Sequence, residues 1–197
     1  VGGSGGGDSL DLDRLNFDDP AVFDLFQRGE TVGVFQFESG GMRNTLMGMK
    51  PDRIEDLIAA NALFRPGPME LINEYNDRKH GRRPVPRNHP IVAKFTDESY
   101  GIMVYQEQVM QIVHELGGIP LRAAYTLIKA ISKKQQKVIN ANRDQFIQGA
   151  VDKGLGQSQA ADLFELVLKF AGYGFNKSHS TGYAILAYQT AYLKTYF

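Results

Sequence analysis

Cysteine and tryptophan are both absent from the 197 residues. Without cysteine there is no disulfide framework, no thiolate metal site and no cysteine nucleophile. Histidine is scarce: four residues at 80, 89, 114 and 179 are too scattered for a zinc site. Neither a P-loop nor a Gly-x-Gly-x-x-Gly pattern occurs. No run approaches the roughly 18 apolar residues of a membrane helix, and no basic, apolar, small-residue order opens the chain. A cytosolic protein without a signal peptide is expected. Net charge is missing too, with 22 basic residues balancing 22 acidic ones.

What is present is an ordinary globular composition, 43% hydrophobic and 22% charged, and enough chain for one domain with a sizeable core. The zero net charge hides an asymmetry. Residues 1–30 carry seven acids against two bases, whereas residues 31–197 carry 20 bases against 15 acids. Arg78, Lys79, Arg82, Arg83 and Arg87 fall within ten residues, and between Arg122 and Arg143 there are six basic residues and no acid. Such blocks are either solvated faces or the electrostatic footprint of phosphate binding.

Residues 1–7, VGGSGGG, read as a flexible linker, engineered or bridging a deletion, which leaves 8–197 as the folded unit. Asp19 and Pro20 open a short helix to about residue 26. Asp11 and Asp13 are read as a solvated acidic entry, not a metal site. Residues 31–37, TVGVFQF, alternate and are rich in β-branched and aromatic side chains, so they are the best strand candidate. Lys50, Pro51 and Asp52 with Glu55 form a capping pattern for a helix that Pro66 and Pro68 stop. Residues 77–90 read as an exposed basic loop. An apolar stripe through Tyr105, Val109, Ile112, Val113 and Leu116 marks the next helix, and further helices follow Pro120, from about 135 to 152, 159 to 171, and 180 to the end. The class is mainly α: six or seven helices with one short strand or hairpin near the N-terminus.

Two constellations could carry chemistry. On a helix after Pro120, Arg122, Thr126, Lys129, Lys133 and Lys137 fall within about 80° of arc. Leu121, Ala124, Leu127, Ile128 and Ile131 line the opposite side. The bland reading is an amphipathic surface helix, yet like charges without acidic partners repel, and a bound polyphosphate would relieve that. The second is GYGFNKSH at 172–179, a glycine-rich loop leading into a helix N-terminus with Ser178 as a possible cap and Lys177 and His179 at hand. Tyr183, Tyr188, Tyr192 and Tyr196 follow; their rings could stack on bases, although most suit a core.

Six ordered stretches then resemble one family: ETVGVFQFES at 30–39 with Gly41, Met42 and Arg43; EDLIAANALFRPGPM at 55–69; YGIMVYQEQVM at 100–110; IKAISKK at 128–134; YGFNKSH at 173–179; and YQTAYLK at 188–194. They resemble the alpha subunit family of bacterial DNA polymerase III, over nearly all of residues 10–197. The resemblance implies a multi-helix fingers domain of a bacterial, cytoplasmic DNA-directed DNA polymerase. It also implies the partners: deoxynucleoside triphosphates, primer-template DNA and other replicase subunits, with no membrane. It implies Mg²⁺ in the parent enzyme, on palm carboxylates outside this chain, so that no catalytic or metal residue is expected here and the isolated fragment should be inactive. Nucleotide contacts are expected from Lys129, Lys133, Arg122, Lys177 and His179, and DNA contacts from Arg65, Arg78, Lys79, Arg82 and Arg83. One departure is Ile128 and Lys129, where many members carry two consecutive arginines; Lys lacks their bidentate fork. The alternative is a non-catalytic nucleic-acid or protein-binding helical module, and an error-prone paralogue is a third reading.

Overall fold

The computed structural model describes residues 10–197; the glycine-rich linker expected at 1–7 lies outside the described residues. Among the described residues ten α-helices carry the fold: α1 Pro20–Gln27, α2 Gly40–Met49, α3 Ile54–Leu63, α4 Ile72–Lys79, α5 Pro90–Thr96, α6 Gln106–Glu115, α7 Leu121–Ser132, α8 Gln136–Asp152, α9 Gln157–Ala171 and α10 Lys177–Tyr196. The mainly-α expectation holds. α1 starts as its sequence predicts, with the Asp19 carboxylate accepting from the Ala21 N–H and Pro20 in the first turn.

Residues 31–37 are not a strand. They form consecutive turns, Val34 N–H to Thr31 carbonyl and Phe37 N–H to Val34 carbonyl, closed by the Thr31 hydroxyl on the Phe37 carbonyl at 2.6 Å. Gly33 and Gln36 take positive φ, which no extended strand allows. The alternation that suggests a strand instead sends Val34 and Phe37 into the core, and among the described residues the only β-pairing is the isolated bridge Tyr105–Phe175. α2 is a helix where no helix is expected, with Ser39 capping it and Met42, Leu46 and Met49 buried at helical spacing. α3 begins at Ile54 with no side-chain cap; Asp52 instead donates its N–H to the Asp56 carboxylate.

One hydrophobic cluster runs through the described residues. On one side α10 lies along α3 and α1, with α2 and α4 behind; on the other α6 packs on α5, α7 and α9, and α8 on α7 and α9. Ala59, Ala60 and Ala62 of α3 and Ala184, Ala187 and Ala191 of α10 are buried, so these helix backbones approach closely. The buried Ser180 hydroxyl donates to the Ile58 carbonyl across that seam at 2.6 Å.

α8 is set against the turn after α6 by a glycine pair. A Cβ on Gly149 would lie 2.2 Å from the Gly117 carbonyl oxygen. Intrinsic helix propensity favours Ala over Gly by about 1 kcal/mol, but overpacking against rigid backbone costs about 1–3 kcal/mol or more. Gly149→Ala is therefore expected to destabilise the chain in urea denaturation despite its better propensity; a rise in stability would show that the turn yields freely.

Candidate functional site

The cationic face is confined to α7. The helix ends at Ser132, Lys133 is its C-cap, and Lys134 has φ +53°, so Lys137 belongs to α8 and the expected five-residue face is broken after Lys129. The stripe behind it packs as expected for Ala124, Leu127 and Ile128, while Leu121 is exposed. Lys129 extends over the Tyr125 ring, its ammonium 4.4 Å from the centroid. Among the described residues, Arg122, Lys129, Lys133, Lys134 and Lys137 meet no carboxylate within ion-pair distance, in contrast with Arg143, which is 3.3 Å from Glu165.

The loop before α10 is held by its own protein. Asn176, not Ser178, caps α10, accepting from the His179 N–H at 3.0 Å. The Lys177 N–H donates to both Glu107 carboxylate oxygens at 3.1 and 3.2 Å, so an internal anion already occupies that helix end. The Lys177 ammonium pairs with Glu98 at 2.6 Å and is partly exposed. The His179 ring is exposed, between Phe175 and Tyr183, with centroids 5.5 and 4.4 Å away. Gly174 allows the loop to lie on α6, since a Cβ there would sit 3.2 Å from the Gln106 Cα. Of the last helix's tyrosines, Tyr188 is core, Tyr183 and Tyr192 are half-buried and Tyr196 is exposed.

Lys177 and His179 lie on α10, and Lys129 on α7. These helices pack on different neighbours; α6 touches α7 directly and reaches the α10 entry through Glu107.

The basic segment at 78–83 differs from an open, solvated loop. Arg78 and Lys79 are the last turn of α4. Lys79 is 5% exposed and reaches Asp52 at 2.6 Å and Asp56 at 2.8 Å, with Asp56 fully buried. Asp56 also accepts from the Tyr75 hydroxyl at 2.9 Å and lies 3.4 Å from Arg53. Burial pulls the Lys79 ammonium down, but its bonds to Asp52 and Asp56 outweigh this and hold it above the ordinary lysine range. Arg78 pairs with Glu74 and donates to the Tyr100 carbonyl. Arg82 and Arg83 are exposed and share Asp77 at 2.7 and 3.5 Å. Arg65 is partly buried at the end of α3, which lowers its pKa by desolvation.

Beside Arg65 opens a cleft of about 470 Å³ lined by Ser39, Asn61, Arg65, Phe175 and Tyr183 among others. The buried Asn61 amide nitrogen has no hydrogen-bond partner among the described residues. The cleft has aromatic faces, Phe175 and Tyr183, beside the Arg65 guanidinium. Among the described residues no group of three His, Asp or Glu side chains could hold a metal ion, and no helix is long and apolar enough to cross a membrane.

A family model described as the bacterial DNA polymerase III alpha subunit finger domain matches residues 4–154. The chain belongs to this family. The DNA polymerase III subunit alpha of Thermus aquaticus is 47% identical over 97% of the chain, that of Caulobacter vibrioides 47% over 95%, and that of Bacillus subtilis 42% over 95%. The chain spans 16–17% of the length of these relatives. In this finger domain Ile128 is 2% exposed, so of the Ile128 and Lys129 pair only Lys129 faces outward. Sequence reasoning missed the acids that organise the site, Glu98 and Glu107 around Lys177 and Asp56 around Lys79. Glu107 and Asp56 lie within the stretches that carry the family resemblance, yet their partners are 70 and 23 residues away.

Proposed function

We propose that residues 8–197 act as one finger domain, binding the incoming deoxynucleoside triphosphate and primer-template DNA during templated nucleotidyl transfer by a DNA-directed DNA polymerase. In that reaction the primer 3′-oxygen bonds to the α-phosphorus and pyrophosphate leaves. The observation that carries the reading is the contrast in charge pairing. The cations at 78–83 have acidic partners, whereas Arg122, Lys129 and Lys133 have none among the described residues. An unpaired cationic face is stabilised by a polyanionic ligand. Lys177, on α10, is held by Glu98 away from that face, and His179 with Phe175 and Tyr183 supplies aromatic surface for a base. The chemistry belongs to carboxylates outside these residues, and the domain's part is binding and orientation.

Crosslinking tests this. A photoactivatable dATP analogue, added to the parent alpha subunit on primed template, should label peptides from α7 or from 177–183; labelling only elsewhere would refute the assignment. The purified 197-residue chain should not extend a primer, and extension that EDTA abolishes would contradict this. DNA contacts narrow to Arg82 and Arg83: their double alanine variant in the parent should lower the salt slope of primed-template binding by about two units. An unchanged slope means that Asp77 keeps both.

A further inference from the structure

We propose that Arg65 is a positioning residue: its guanidinium fixes the loop at 172–176, and through Phe175 the ring of His179. The proposal rests on the reading of His179 as part of the nucleotide site.

Arg65 is committed in three directions. Its Nε donates to the Ala62 carbonyl at 2.8 Å and an Nη to the Tyr173 carbonyl at 2.6 Å, while its plane covers the Phe175 ring at 4.4 Å. The Ala62 carbonyl is an orphan of helix geometry, because its partner four residues on is Pro66, which has no N–H. One side chain thereby completes the end of α3 and ties it to a loop 108 residues away. The far side of the loop is anchored separately, by Gln106 N–H to the Phe175 carbonyl at 3.0 Å and Phe175 N–H to the Val104 carbonyl at 3.4 Å. Phe175 is thus clamped between α3 and the entry to α6, and its ring meets His179 at 5.5 Å. Two donors at a fixed angle on a stackable plane are what a guanidinium supplies and an ammonium does not. The motif residue that looks like a free cation for DNA is spent on geometry.

The test uses Arg65→Lys and Arg65→Gln, in the 197-residue chain and in the parent alpha subunit. In the chain, amide exchange should accelerate about tenfold or more at 173–176 while α8 and α9 keep their protection. In the parent, nucleotide kcat/KM should fall by about tenfold to a hundredfold, primed-template Kd should stay within about twofold, and the loss should not add to that of His179→Ala. Unchanged loop exchange, or a uniform rise across all helices, overturns the proposal. Loss of primed-template affinity with a shallower salt slope overturns it in favour of a DNA contact. If His179→Ala leaves nucleotide kinetics untouched, the nucleotide reading of His179 fails, and the exchange result alone decides whether Arg65 holds the loop.

Discussion

Lys129→Ala in the parent polymerase is expected to lower kcat/KM for the incoming nucleotide by about tenfold to a hundredfold while primed-template Kd stays nearly constant. The magnitude is that of one charge-assisted contact, about 1.5–3 kcal/mol. Folding cannot supply it. Lys129 is exposed in the last turn of α7, where its charge favours the helix by only about 0.3–1 kcal/mol, and its stacking on Tyr125 at an exposed site is worth about 0.5–1 kcal/mol. Ala also has the better helix propensity. Because Ile128 is buried, no neighbouring cation takes over at that point of the face. Lys129→Arg should keep kcat/KM within about threefold, since it preserves charge and reach. Normal nucleotide kinetics with lost DNA binding would turn the α7 face into a duplex contact.

The second large effect is on stability. Asp56→Ala should cost the chain about 3–5 kcal/mol in urea denaturation, on the order of 10 °C in Tm. The carboxylate is fully buried and serves the Tyr75 hydroxyl, the Lys79 ammonium and the Asp52 N–H; its removal leaves the Tyr75 hydroxyl without its acceptor and the Lys79 ammonium with Asp52 alone. Lys79→Met should cost about 3 kcal/mol and leave the salt slope of DNA binding unchanged; a changed slope with native stability would return Lys79 to the DNA surface. The pH dependence has a definite sign. Burial pushes Asp52 up, but Lys79 and Asp56 outweigh it and hold the carboxyl below its ordinary range. Its contribution is present above that range and disappears as pH falls through it. Lys79, held above its ordinary range, keeps its contribution until pH rises through the lysine region. The stability gap between the native chain and Lys79→Met should be flat from about pH 5 to 9 and narrow on both sides.

These effects mark where the sequence is legible. α6 to α10 are long and periodic, and their 3.6-residue pattern places them within a few residues of their observed limits. α2 escapes because three glycines interrupt the spacing of Met42, Leu46 and Met49. Residues 31–37 satisfy the strand pattern but have no neighbour to pair with, and tertiary packing takes the same residues as turns. The face on α7 is read correctly up to Lys129; a left-handed residue at Lys134, which no local pattern announces, breaks it. Lys79 is misread for a different reason. A charged residue in a polar run is assigned to solvent by default, and only a carboxylate 27 or 23 residues upstream in a folded neighbour can reverse that.

The seam between α3 and α10 has a mechanical consequence. α10 has 20 residues, so it is a beam about 30 Å long. Near its first turn Ser180 is bonded to the backbone of α3; further along, the Tyr188 hydroxyl accepts from the Asp19 N–H at 2.9 Å, and near the end the Tyr196 hydroxyl donates to the Asp19 carboxylate at 2.7 Å. With alanines filling the seam there is no side-chain slack to absorb a small tilt. α10 is thus pinned at three points along its length, once to α3 and twice to the α1 cap.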